Sequence, residues 1–279
     1  MIAMGKNKQP KVSIIMGVYN VLEKEQLIDA VESMLNQTMQ EFEFIIYDDG
    51  SDQETIRILE EIVARDSRIL LILGEQNRGL GFALNECIRV AKGSYIARMD
   101  ADDISLPQRL EYQVAFLEKH SEFDWIGCNT YLREKNENWG KRTMTEKPDI
   151  SQFLKYSPYI HPTVVFRRKL FDEGYFYSTS QNGRRCEDYE LFLRLHIAGY
   201  HGFNLQQTLF CYREDREAFK KRKFRYRVEE AIIRYSYLRR LDLPCLEKWL
   251  GIIRPILVGI LPSFFIKWYK RKLGRREYR

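Results

Sequence analysis

Cysteine is scarce, and its spacing pairs with nothing. Cys87, Cys128, Cys186, Cys211 and Cys245 are odd in number and far apart, with no CxxC among them. Neither a disulfide framework nor a zinc site is indicated, which fits a reduced cytoplasm. A leader is missing too: in the first 20 residues Lys6 and Lys8 precede only the short apolar run Val12–Met16, so no secretory signal is expected. No clean membrane-spanning run occurs either. Trp249–Tyr269 is the most apolar stretch, but Arg254, Pro255, Pro262 and Lys267 break it, whereas a spanning helix wants about 20 mostly apolar residues. Nor does one charge dominate the whole chain. The net charge of +6 hides an asymmetry: residues 1–212 carry 25 Lys and Arg against 31 Asp and Glu, and residues 213–279 carry 20 against 8. An acidic body with a basic tail suggests two jobs, the tail meeting an anionic membrane surface or nucleic acid. At 279 residues, 44% apolar and 30% charged, the chain can bury a substantial core as one domain or one and a half.

What the chain does have is a strand tipped with acids. Ser94–Asp103 reads SYIARMDADD, a β-prone run (Tyr95, Ile96, Ala97, Met99) that ends in Asp100, Asp102 and Asp103. Gly93 and the Leu106-Pro107 break bound it, which predicts a buried strand with the acids just past its carboxyl end. Open α/β sheets bind ligands at that edge. Three carboxylates so close repel one another, and gathering them is costly unless a cation or donors offset them. Hard oxygen ligands suit Mg²⁺ or Mn²⁺ beside a diphosphate. A polar strand-to-helix turn, with Asp103 or Ser105 capping a helix from Pro107, fits the same residues.

Val12–Met16, Phe42–Tyr47 and Ile69–Leu73 also read as buried strands. Gln26–Leu35, Ile56–Val63 and Leu84–Ala91 carry apolar residues at helical spacing between them. This alternation from residue 12 to 103 predicts an α/β fold: a mostly parallel sheet with helices on both faces and right-handed connections. The second strand ends in Asp48, Asp49, Gly50 and Ser51. In a parallel sheet both acidic ends fall at one edge, together with the loop Val18, Tyr19, Asn20. Asp49 beside Tyr19 can hold a base, the carboxylate accepting an N–H and the ring stacking. A capped turn at Asp49 and a merely packed Tyr19 are the plainer readings. Arg78, in the turn Asn77–Gly81, can reach a diphosphate or a base, or simply stand solvated.

Beyond Pro107 the pattern loosens. Leu110, Val114 and Leu117 mark a helix, Asp124–Cys128 a strand, and Asn129–Pro148 a surface hairpin or loop. His161–Arg168 is a short strand with a histidine at its entrance, where packing is the commoner role. Phe171–Arg185, rich in Gly, Ser and Tyr, has the profile of a substrate-facing loop. Cys186, Glu187, Asp188, Tyr189 and Glu190 open a helix whose dipole alone would explain the acids. The expected division is 11–215, with halves 11–103 and 104–215, and a basic amphipathic helical tail over 216–279. The tail's Trp249 and Trp268, its apolar faces and the basic end Lys270–Arg276 suit helices lying in the plane of an anionic membrane. A helical cap on the core, or an oligomer interface, suits them too.

Taken in order, VSIIMGVYN, DDGSDQET, NRGLGFALN, GSYIARMDADD and EDYELFLR resemble the family 2 glycosyltransferases, over roughly Lys11 to Tyr212. The resemblance implies a GT-A, Rossmann-like fold and an inverting hexosyltransferase. It implies that Asp49 contacts the nucleotide base, usually uracil, with Val18, Tyr19 and Asn20 bordering it and Arg78 nearby. It implies Asp100 on the ribose side, Asp102 as ligand of a Mn or Mg cation bridging the donor diphosphate, and Asp188 as catalytic base. His161 and Glu187 are candidate contacts of the acceptor or phosphate. So is Arg213, because Tyr212–Arg216 lacks the histidine that many relatives carry there. With the tail, this implies a cytoplasmic enzyme, peripheral on the inner face of the cell membrane. It would use a UDP-hexose or UDP-HexNAc donor and a polyprenyl-diphosphate-linked glycan acceptor in capsule, exopolysaccharide or O-antigen assembly, with no nucleic-acid partner. A non-catalytic nucleotide-sugar-binding scaffold would have no use for Asp188. A sugar nucleotidyltransferase would release pyrophosphate and need no acceptor base there.

Overall fold

The computed structural model describes residues 9–135, 137–180, 186–214 and 224–261. Four strands open the chain: β1 (Val12–Val18), β2 (Phe42–Asp48), β3 (Ile69–Leu73) and β4 (Tyr95–Arg98). They lie parallel in the order β3-β2-β1-β4. The helices α1 (Lys24–Leu35), α2 (Gln53–Val63) and α3 (Leu80–Val90) connect them. Each element falls where its apolar period predicts it. Side chains alternate across the sheet, as a strand period of two requires. Val12, Ile14 and Met16 of β1 pack in one cluster with Leu27 of α1 and Leu59 of α2, while Ile15 joins Leu84 and Cys87 of α3 in the cluster on the other face.

Past β4 the sheet is mixed. The remaining elements are β5 (Ile104–Ser105), α4 (Arg109–Lys119), β6 (Trp125–Glu134), β7 (Glu137–Arg142), β8 (Val165–Arg167), α5 (Lys169–Asp172), α6 (Glu187–Ile197) and β9 (Gly202–Arg213). The sheet continues β4-β8-β6-β9-β5, with β7 on the edge of β6. Strand β8 runs antiparallel to β4 and β6, and β9 runs parallel to β6. The expected polar hairpin is β6–β7, but its first arm begins earlier and buries Asn129 and Thr130. Asn129 is polar because the β6–β9 register shifts there: its Nδ2 donates to the Gln206 carbonyl at 2.8 Å and its Oδ1 accepts from Met144 N at 2.9 Å. The capping alternative for Asp103 and Ser105 fails, because α4 begins at Arg109 behind Gln108.

Two tail helices fall within the described residues, α7 (Phe224–Leu238) and α8 (Cys245–Ile260). They pack on each other, and α8 also packs on a 3₁₀ turn over Ile150–Leu154. The anchor is Arg234, which is buried and donates to the carbonyls of Phe153 (2.8 Å), Leu154 (3.1 Å) and Gly251 (3.2 Å). Leu238 and Ile252 join the core cluster that holds Trp125, Phe153 and Tyr189. The outer face leaves Leu246, Leu250, Ile253, Leu257 and Ile260 exposed. Among the described residues, no helix is long and apolar enough to cross a membrane. Trp268 and the basic end Lys270–Arg276 lie outside the described residues.

Candidate functional site

The parallel strands deliver their loops to one edge. Val18 and Asp48 are register partners, and Asp49 N donates to the Val18 carbonyl at 2.8 Å. Asp49 is buried, and its two oxygens accept one backbone N–H each, from Arg78 (2.9 Å) and Gly79 (2.7 Å). The carboxylate thus staples the loop after β2 to the turn that starts α3. That turn needs Gly79 at φ 94°, a left-handed conformation that glycine adopts at little cost. Asn20 also sits at positive φ, 46°. Its Oδ1 accepts from Asp52 N and its own N–H donates to Ser51 Oγ, both at 3.0 Å. Asn20 therefore braces the loop that carries Tyr19.

A cleft of about 430 Å³ opens at this edge, within the range of small-ligand sites. Val18, Tyr19, Asp49, Arg78 and Glu187 are on its wall, joined by Ser178, Thr179 and Ser180. Tyr19 is half exposed, with its ring open to a ligand. The Arg78 guanidinium lies 3.6 Å from the centre of the Phe82 ring, a cation–π contact. Tyr226, from the first turns of α7, also lines the cleft. Nothing in the tail's composition singles it out. Asn20, Asp100, Asp102, His161, Asp188 and Arg213 are not on this wall.

The acids after β4 form a second group. Asp100, Asp102 and Asp103 each offer an oxygen, all within 4.8 Å of one another. Asp100 pairs with the buried guanidinium of Arg98. Asp103, the third acid of the run, is buried. Its Oδ1 accepts from Arg213 N at 2.7 Å, while its Oδ2 has no hydrogen-bond partner among the described residues. Burial, then the charges of Asp102 and Asp100, push its carboxyl well above the usual range. Hard oxygens at this spacing, one of them buried and unpartnered, fit a Mg²⁺ or Mn²⁺ ion. Arg213 meets this cluster through its backbone, and its guanidinium points to Glu23 at 3.6 Å.

Tyr177, one residue before the Ser178–Ser180 wall, is buried, and burial raises its hydroxyl pKa far above the normal value. The hydroxyl is 2.8 Å from His161 Nε2. Burial, then Arg98, holds His161 well below its usual value, so the imidazole is neutral at pH 7. His161 is thus a buried partner of Tyr177, while Asp188 is half-buried in the first turn of α6.

A family model described as glycosyl transferase family 2 matches residues 13–175. EpsE of Bacillus subtilis (strain 168), a glycosyltransferase by its given name, is 38% identical over 274 residues, covering 97% of this chain and 98% of its own length. The Escherichia coli UDP-Gal:alpha-D-GlcNAc-diphosphoundecaprenol beta-1,3-galactosyltransferase is 28% identical over 274 residues, covering 96% and 98%. Among solved structures, S. aureus TarS 1-349 in complex with UDP-GlcNAc matches with a TM-score of 0.66 at 18% identity, over 94% of this chain and 79% of that one.

Proposed function

Because this chain belongs to glycosyl transferase family 2, and is a glycosyltransferase, we propose that it moves a hexose or N-acetylhexosamine from UDP to a hydroxyl of a polyprenyl-diphosphate-linked glycan, with inversion. One observation carries the reading: the Asp49-stapled cleft and the Asp100–Asp103 cluster lie at one edge of the parallel sheet, and the first turn of α6, which carries Asp188, puts its neighbour Glu187 on the cleft wall. The uridine occupies the cleft, with the Tyr19 ring against the base and the Arg78–Gly79 turn held by Asp49. Asp100, Asp102 and Asp103 would hold the divalent cation, whose chemistry there would be to stabilise the negative charge on the departing diphosphate. Asp188 takes the proton of the acceptor hydroxyl. The oxygen then forms its bond to the anomeric carbon from the face opposite UDP, and the bond to UDP breaks with its electron pair leaving on the phosphate.

The acceptor class has two supports. The E. coli relative is named for a diphosphoundecaprenol acceptor. In this chain, the exposed apolar face of α8 lies within residues 213–279, which carry 20 basic residues against 8 acidic ones. We take 11–215 as the catalytic unit and the tail as a packed cap whose outer face rests on the cytoplasmic face of the membrane.

The test is a panel of nucleotide sugars with Mn²⁺ and an undecaprenyl-diphosphate-linked acceptor, reading released UDP. Asp188→Asn should bind UDP as tightly as the wild type and lose about 10²–10⁴ in turnover, the usual worth of a general base. Full turnover in Asp188→Asn would sink the base assignment, and a wild type that binds no UDP would sink the donor.

A further inference from the structure

Ser178, Thr179 and Ser180 form part of the cleft wall. Three hydroxyl side chains are chemistry suited to the hydroxyls and phosphate oxygens of a nucleotide sugar. What holds them is a seam that runs back into the fold. Asn85, buried on α3 among Leu84, Cys87 and Ile88, donates from Nδ2 to the Tyr177 carbonyl (2.9 Å) and accepts at Oδ1 from Tyr177 N (3.0 Å). A side-chain amide thus makes both bonds that a neighbouring strand would make. One turn earlier on the same helix face, a Cβ on Gly81 would stand 3.0 Å from the Ser178 carbonyl and 3.5 Å from Glu187 Cβ. Helix α3 therefore offers a slot and a clamp four residues apart, and the wall segment lies in both. The Tyr177 ring runs inward to bond His161 at 2.8 Å, and Arg194 of α6 donates to the Phe176 carbonyl at 2.5 Å.

A buried amide is an expensive way to fill a helix face when apolar side chains would do, because each of its polar groups must be matched. Here every bond it makes goes to one residue, the last before the cleft wall. We propose that Asn85 and the His161–Tyr177 pair are positioning residues for donor binding: they fix the Ser178–Ser180 wall where the nucleotide sugar needs it. This rests on the donor reading above.

The experiment measures UDP affinity by calorimetry, with Tm in parallel, for the full chain and for Asn85→Ala, Tyr177→Phe and Asn204→Ala. Asn204 is the control. It is equally buried, donates to the carbonyls of Thr145 (2.8 Å) and Pro158 (3.1 Å), and is not on the cleft wall. Asn85→Ala should weaken UDP binding by about tenfold and Tyr177→Phe by a smaller factor in the same direction. Asn204→Ala should lose Tm and keep UDP affinity. If Asn85→Ala and Tyr177→Phe bind UDP like the wild type, or Asn204→Ala weakens it as much as Asn85→Ala does, the inference is overturned while the donor reading stands. If the wild type itself does not bind UDP, the donor reading fails and takes this inference with it.

Discussion

Two aspartates that follow strands do opposite electrostatic work. Asp49 is buried but offset, each oxygen taking a backbone N–H, and charge-assisted bonds of that kind are roughly twice as strong as neutral ones. Asp103 is buried with one oxygen unpartnered and two acids beside it. Folding such a group as an anion is unfavourable, and its raised pKa expresses that cost. A divalent cation would reverse the balance, since a bound ion is the largest charge in its site. Asp102, the most exposed of the three, can leave without opening the core. Asp102→Ala should therefore keep the wild-type Tm and lose most of its Mn²⁺ affinity in a calorimetric titration with UDP present. Unchanged Mn²⁺ affinity would remove this cluster as the metal site.

The helices of the tail join the core through Leu238 and Ile252 and through a buried cation. Arg234 meets three carbonyls and the Glu230 carboxylate, and its guanidinium lies 4.6 Å from the centre of the Tyr189 ring. Arg234→Met should take this donor from the Leu154 and Gly251 carbonyls, while Phe153 keeps the Tyr189 hydroxyl and Glu230 keeps Arg227, and should cost about 3 kcal/mol, the scale of leaving two buried polar groups unmatched. Thermal melts should show a fall of roughly 5 °C for a chain of this size. A fall of a degree or less would mean that α7 is only loosely attached. This contact also marks the limit of what the sequence discloses. The four parallel strands and their acid tips are legible because their signals are local: apolar runs that end in Asp48 and Asp49 or in Asp100. The packing of α7 is not, because Arg234 looks like one more basic residue in a basic tail and its acceptors lie 80 and 81 positions away. The same holds for Asp103, whose partner Arg213 is 110 residues on, and for Asn85, whose partner Tyr177 is 92 residues on. Tyr226 in the cleft has no sequence signal at all. Elements follow local periodicity; the closure of the site follows pairings that no window of sequence contains.

At the scale of the whole molecule, the tail has two faces with different fates. The inner face of α8 buries Gly251, Ile252 and Pro255. The outer face presents Leu246, Leu250, Ile253 and Leu257, a stripe at helical spacing. On the membrane reading that stripe would be covered by the bilayer, and the basic excess of residues 213–279 would favour an anionic leaflet, since each basic residue near such a leaflet contributes about 1 kcal/mol. Sedimentation with vesicles separates the options. The full chain should bind phosphatidylglycerol vesicles, ignore phosphatidylcholine vesicles, and release from the former as salt rises. The triple variant Leu250→Glu, Ile253→Glu, Leu257→Glu should lose vesicle binding and keep its Tm, because those side chains are already exposed. A wild type that ignores anionic vesicles but sediments as a dimer, with the triple variant monomeric, would instead assign the stripe to a second copy of the chain and leave the membrane reading without support.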